Sequence, residues 1–395
     1  MKILYISYDG VLEPLGQSQV FEYLRLLAIG RQIHLISFEK AENWENTPRR
    51  KFISEVILSS GIIWHPLRYH KRPTLLATSW DIACGIGLGF WLVVCHRIQI
   101  VHARSYVPSV MALVLKKLTG VKYLFDMRGF WVDERVDGDL WLRGGRLYKM
   151  AKWFESRFLI EADHVISLTR AAVNEIARFD YMQVSKPPFT VIPTCADLTR
   201  FRPIKRKHNA NGFVLGYVGS VGTWYLFDDV ASCFIQLLLI RPDAKLLILN
   251  LNDHSYILGR LAAAGVPESA VELTSAIDDE VPLQMSRMDA GIFFIKPVFS
   301  KKASAPTKLA EFLGCGIPCL SNGGVGDIAE VLEGECVGVI VNAFDELSVI
   351  DGLKKILQLV EDPATSLRCV DSARRHFSLN EGVKKFEKVY QIMIA

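Results

Sequence analysis

The stretch Ile295–Glu330, IKPVFSKKASAPTKLAEFLGCGIPCLSNGGVGDIAE, decides how this chain reads. Pro306 fixes its own φ and biases Ala305 away from the helical region, which predicts a tight loop from Ala303 to Pro306. Thr307–Leu313 (TKLAEFL) is made of good helix formers, and Gly314 and Gly316 end that helix before Pro318. The start of such a helix presents unpaired amides and a partial positive charge, an anion site that needs no dedicated side chain. Lys308 stands at that end, with Glu311 three residues on and one turn deeper on the same face. Cation and amides suit a diphosphate, and the carboxylate suits a pair of vicinal ribose hydroxyls. The local alternative is an i, i+3 ion pair on a solvated surface helix.

Outward from this stretch the chain alternates short apolar runs with helical ones. KILYIS (residues 2–7), IHLISFE, QIVHA, KYLFD and DHVISLT are strands of the first half, each followed by a helical stretch. VLGYV, AKLLILNL, AVELTS, AGIFFI, PCLSN and VGVIV continue the rhythm in the second half. This pattern predicts an α/β chain with doubly wound parallel sheets, and 395 residues suit two domains rather than one core. Arg104 ends its strand where open sheets bind ligands. In the first loop, Gly16 can let a ligand near the backbone, and Ser18 either caps the following helix or touches a phosphate. A glycine-rich loop, Gly219–Ser220–Val221–Gly222–Thr223, follows the first strand of the second half.

Composition excludes several classes. The 50% hydrophobic and 22% charged fractions are those of a folded protein. Net charge is about +7 over residues 1–200 and about −3 beyond, so the basic excess lies in the first half. No nucleic-acid-binding signature accompanies it, and anionic lipid fits better. The eight cysteines form no CxxC, no Asp-x-Asp occurs at the site, and no GxGxxG follows the first strand, which argues against a metal site and against a dinucleotide dehydrogenase. The N-terminus reads as a strand rather than a signal peptide, which predicts a cytoplasmic protein. Leu75–Cys95 is long and apolar, and reads as a buried or interfacial helix in preference to a membrane span, because Thr78, Ser79, Asp81 and three glycines interrupt it. Trp141–Arg157 interleaves aromatics with Arg and Lys, and reads either as an interfacial helix on anionic lipid or as a solvated one.

Ser304–Pro318, S-x-P-T-K-L-x-E-x-L-x-x-G-x-P, resembles the donor-binding signature of the GT-B glycosyltransferases of family 4, of the bacterial cell-surface polysaccharide type. Thr190–Pro203, TVIPTCADLTRFRP, resembles the hinge signature of the same family. The resemblance implies a GT-B fold: two Rossmann-like domains facing a cleft, residues 1–195 for the acceptor and 196–378 for the nucleotide sugar, with a terminal helix, 379–395, that returns to the first. It implies a retaining, metal-independent transfer of a hexosyl or N-acetylhexosaminyl group from a UDP- or GDP-linked sugar, without a cofactor, to a glycan or lipid-linked glycan. The protein would work in the cytoplasm, at the inner face of the cell membrane. Donor contacts are expected at Gly16, Ser18, Gly219, Ser220, Gly222, Thr223, Lys296, Ser304, Ala305, Pro306, Thr307, Lys308 and Glu311, and acceptor contacts at Glu13 and Arg104. Catalytic roles fall to Asp126, Arg128 and Lys308, with Asp126 where the family usually has a His. Asp126 would then accept from sugar hydroxyls or stabilise positive charge on the ring, the local alternative being a simple pair with Arg128. The first Glu of the family's Glu-x₇-Glu motif falls on Ala303, and the second on Glu311. A same-fold epimerase or hydrolase, and a non-catalytic sugar-nucleotide-binding partner subunit, are the alternative readings.

Overall fold

Strands buried on both faces need apolar side chains at successive positions, and the short runs of this chain supply them. In the computed structural model, which describes residues 1–183, 186–204, 212–277 and 280–395, Ile3 to Ser7 are all buried, as are Ile33 to Glu39. The polar stretch read as a linker, KRKHNANG, lies outside the described residues except for its last glycine.

The chain divides into two units, Met1–Ile192 with Gly382–Ala395, and Pro193–Glu381. The first holds β1 (Lys2–Ser7), β2 (Gln32–Glu39), β3 (Ile62–Arg68), β4 (Ile100–Arg104), β5 (Lys122–Asp126), β6 (His164–Ser167) and β7 (Phe189–Val191). They form one parallel sheet in the order β3-β2-β1-β4-β5-β6-β7. The second unit holds β8 (Val214–Val218), β9 (Lys245–Leu249), β10 (Val271–Thr274), β11 (Ala290–Ile292), β12 (Cys319–Asn322) and β13 (Gly338–Val341), parallel in the order β10-β9-β8-β11-β12-β13. In each sheet the order reverses once, between β1 and β4 and between β8 and β11. Ligands bind such sheets beyond the strand ends at that reversal.

Register then decides which side chains meet there. Ser7 pairs with Arg104, and Arg104 with Asp126, so the ends of β1, β4 and β5 lie side by side. The first helical run begins at Pro14, earlier than the hydrophobic pattern indicates, because proline is preorganised for the first turn; a π-helical segment, Gln17–Phe21, continues it. The terminal residues Phe386, Val389 and Tyr390 are buried in the first unit.

The apolar helix, Thr74–His96, lies against the first unit. Its Asp81 is buried and accepts hydrogen bonds from the Tyr8 hydroxyl at 2.8 Å and the His70 amide at 3.1 Å, with His70 Nδ1 at 2.6 Å. A Cβ on Gly89 would meet Leu115 at 2.8 Å, so these glycines admit close packing.

Candidate functional site

In the second unit the helix Thr307–Gly314 starts directly after Pro306, whose side chain cannot cap it. Ser304, Ala305, Pro306 and Thr307 are half-buried around that start. Lys308 is 7% exposed, and among the described residues its Nζ has no hydrogen-bond partner. The ammonium lies over the rings of Tyr225, at 3.8 Å from the centroid, and Tyr217, at 4.9 Å. Burial lowers its pKa to about 7, with Glu311 pulling the other way. Glu311 is pushed up by burial against the pull of Lys308 and Arg200. Lys308 is therefore inside the unit, with Glu311 half-buried one turn on, and the solvated-surface alternative does not hold for Lys308. Ala303, where the family motif has its first Glu, is 2% exposed.

The glycine-rich loop closes over this lysine. Gly219 has φ +99°, and a Cβ there would come within 3.5 Å of Lys308 Nζ. Asn250 Nδ2 donates to the Gly219 carbonyl at 3.0 Å, while Asn250 Oδ1 accepts from the amides of Asn252 and Asp253 at 3.0 and 2.7 Å. In a planar trans peptide the Ser220 N–H points away from that carbonyl. The Ser220 carbonyl accepts from the Tyr217 hydroxyl at 2.7 Å. Gly222 and Thr223 have positive φ, +82° and +39°, and Thr223 is exposed. Lys296 is exposed, whereas Lys301 is buried with its Nζ 3.8 Å from the centroid of Trp224, so the second cation beside the loop is Lys301.

The first unit gathers Asp126, His102, Arg104 and Arg128 at the ends of β4 and β5. Asp126 Oδ2 is 3.6 Å from His102 Nε2, and Oδ1 is 3.9 Å from an Arg128 terminal nitrogen. Burial would raise the Asp126 pKa, but Arg128, His102 and Arg104 outweigh it and hold the carboxyl below its ordinary value. His102 is pushed down by burial, and its Nδ1 is 2.7 Å from the Tyr390 hydroxyl of the terminal helix. Tyr5, Gln19, His102, Asp126, Arg128 and Phe386 line a water-sized cavity of about 10 Å³. Asp126 is 2% exposed, so Arg128, 12% exposed, is the outer member of this cluster. Arg128 holds φ +57°, a strained conformation that surrounding structure must enforce and that concentrates at functional sites.

The first loop departs from its expected role. Gly16 is buried against the Gly10 carbonyl, which fills the space of a Cβ. Ser18 lies within the helical run and donates to the Pro14 carbonyl at 3.0 Å, so it caps no helix start. The amides of Val11 and Leu12 donate to Glu39 at 2.9 and 3.1 Å and are thereby occupied. Glu13 pairs with Lys40 at 2.6 Å, and Arg104 Nε is 3.6 Å from Asp9. Sequence reasoning missed Asn250, Tyr217, Tyr225, Glu39 and Tyr390; the legible signal for Asn250 was a polar residue directly after the apolar run of β9.

Residues 53–195 match the family described as glycosyl transferase 4-like domain. That segment is a glycosyl transferase 4-like domain. No curated protein matches in sequence. Among solved structures, sucrose-phosphate synthase from Thermosynechococcus elongatus shares 14% identity and a TM-score of 0.75, over 100% of this chain and 99% of that one. A glycosyltransferase from Rickettsia africae shares 15% identity and a TM-score of 0.73, over 100% and 98%. Anabaena HepE, in complex with UDP and glucose, shares 14% identity and a TM-score of 0.66, over 99% of each chain. The fold of the glycosyltransferase domain and of the unit that follows it is GT-B.

Proposed function

We propose that this chain is a retaining glycosyltransferase that moves a hexosyl or N-acetylhexosaminyl group from a UDP- or GDP-linked sugar to a glycan or lipid-linked glycan, in the cytoplasm at the inner membrane face. The observation that carries this reading is Lys308: a nine-tenths buried amine with no hydrogen-bond partner among the described residues, beside an uncapped helix start and a glycine turn. Burying an unmatched amine costs stability, and a diphosphate would supply the missing partner. UDP in the same fold in HepE supports a nucleotide at such a site.

In this mechanism the diphosphate rests on the amides at Thr307 and Lys308 and on the Ser220 N–H, and Glu311 accepts from the ribose. As the sugar–phosphate bond breaks, Lys308 meets the growing negative charge without a metal. One cation at about 4 Å is worth roughly 4 kcal/mol at an effective dielectric of 20. Arg128 stands nearest the surface of its cluster and is assigned to the acceptor, while Asp126, behind it, positions it. Arg104 and Glu13 are assigned to the acceptor side.

Lys308→Ala tests the assignment. Removing that interaction should lower turnover by about a thousandfold, while the thermal midpoint stays level or rises because a buried amine is gone. An unchanged transfer rate would sink the mechanism. Product analysis with and without glycan acceptors separates transfer from epimerisation or hydrolysis.

A further inference from the structure

The helix Thr74–His96 turns an uncharged face to solvent. Leu75, Leu76, Trp80, Phe90, Trp91 and Val94 are 64%, 72%, 61%, 43%, 51% and 55% exposed. Residues 76, 80, 87, 91 and 94 recur at helical spacing, so they lie on one side, and the run from 75 to 94 is about 29 Å long. A continuous apolar stripe of this length on a soluble surface marks an interaction site. The stripe is bounded by exposed Lys71 and Arg72 before the helix and exposed Arg97 after it. Apolar and tryptophan side chains edged by cations match one partner, the headgroup region of an anionic bilayer.

The opposite side of the same helix excludes crossing. Asp81, the only charged residue between 74 and 95, is buried and bound to Tyr8 and His70. Gly85 and Gly89 pack on Met111 and Leu115. A span would strip those contacts and carry an unpaired carboxylate into hydrocarbon.

We infer that this helix lies in the plane of an anionic membrane, its stripe embedded and its Asp81 side still packed on the first unit. The inference does not depend on the glycosyltransferase reading. It is tested on the full chain with phosphatidylcholine vesicles, with and without phosphatidylglycerol. The protein should sediment with the anionic vesicles, and its tryptophan emission should be quenched by lipids brominated near the headgroup. Trp80→Ser with Trp91→Ser should lose that quenching and weaken vesicle binding about tenfold or more, with unchanged circular dichroism. Should that variant unfold, Lys71→Glu with Arg72→Glu lies outside the helix and should weaken binding to anionic vesicles alone. Failure to sediment overturns the inference. So does retention after an alkaline carbonate wash, which means a span, or a solution dimer that the tryptophan variant dissociates, which means that a second copy covers the stripe.

Discussion

Lys308 is poised to change its charge when a ligand arrives. With its pKa lowered to about 7 by burial, the ligand-free amine is mostly neutral at pH 8. A bound diphosphate favours the ammonium, so binding at that pH should draw in a proton. Glu311, raised to about 7, is ionised at pH 8 and contributes nothing there; at pH 6 it is protonated and must release a proton to accept from ribose. Calorimetric titration of UDP in buffers of different ionisation enthalpy should therefore show proton uptake at pH 8 that vanishes or reverses at pH 6. An unchanged sign across this window would mean that the nucleotide binds elsewhere. Asn250 offers a second test, because Asn250→Asp keeps the acceptor for Asn252 and Asp253 but removes the donor to the Gly219 carbonyl. Freed of that bond, the peptide should no longer hold the Ser220 N–H toward the proposed diphosphate site. The Kd for UDP should rise about tenfold or more, since one charge-assisted hydrogen bond is worth about 1.5–3 kcal/mol. The thermal midpoint should fall, because a buried carboxylate oxygen then replaces the amide nitrogen that stands 3.0 Å from the Gly219 carbonyl and 3.5 Å from Asp253.

At the scale of elements, one carboxylate ties the first loop to the neighbouring strand. Glu39, at the end of β2, accepts from the amides of Val11 and Leu12 and from the Ser37 hydroxyl at 2.6 Å. A carboxylate takes all three bonds because it is acceptor-only, whereas an amide in its place turns an NH₂ toward donors. Glu39→Gln should cost about 2–3 kcal/mol in urea unfolding. This contact also shows where sequence reasoning stops. The parallel strands were legible, since burial on both faces writes itself as consecutive apolar residues, and so was the helix after Pro306, framed by proline and glycine. The partners of Lys308 were not: Tyr217 and Tyr225 stand more than 80 residues away in sequence, and only the fold brings their rings over the amine. For Ser18, the cap alternative fails for the opposite reason. A serine before an apolar run looks like a cap, but Pro14 had already started the helix.

Across the whole molecule, the chain enters the second unit at Pro193 and leaves it after Glu381, three residues before and three after the boundaries at 196 and 378 that sequence suggests. Lys308, Glu311, Gly219, Asn250, Tyr217 and Tyr225 all lie between those points. The hydrophobic core of that unit is its own: Leu247, Phe293, Phe312 and Cys369 pack in one cluster, and Leu215, Phe234, Ile248 and Leu353 in another. A fragment of residues 193–381 should therefore fold cooperatively and bind UDP, yet transfer no sugar, because Asp126 and Arg128 are outside it. The reciprocal fragment, residues 1–192, differs in kind. It lacks Phe386 and Tyr390, so it opens the wall of the small cavity beside Asp126 and leaves buried His102 Nδ1 without its hydroxyl partner. Losing two buried aromatic side chains costs about 3–5 kcal/mol each, against a typical domain stability of about 5–15 kcal/mol. Expressed alone, 1–192 should be insoluble or molten, and extending it with residues 382–395 through a flexible linker should restore a sharp melting transition. If 1–192 melts as sharply without that extension, the terminal helix contributes nothing to holding the Asp126 cluster.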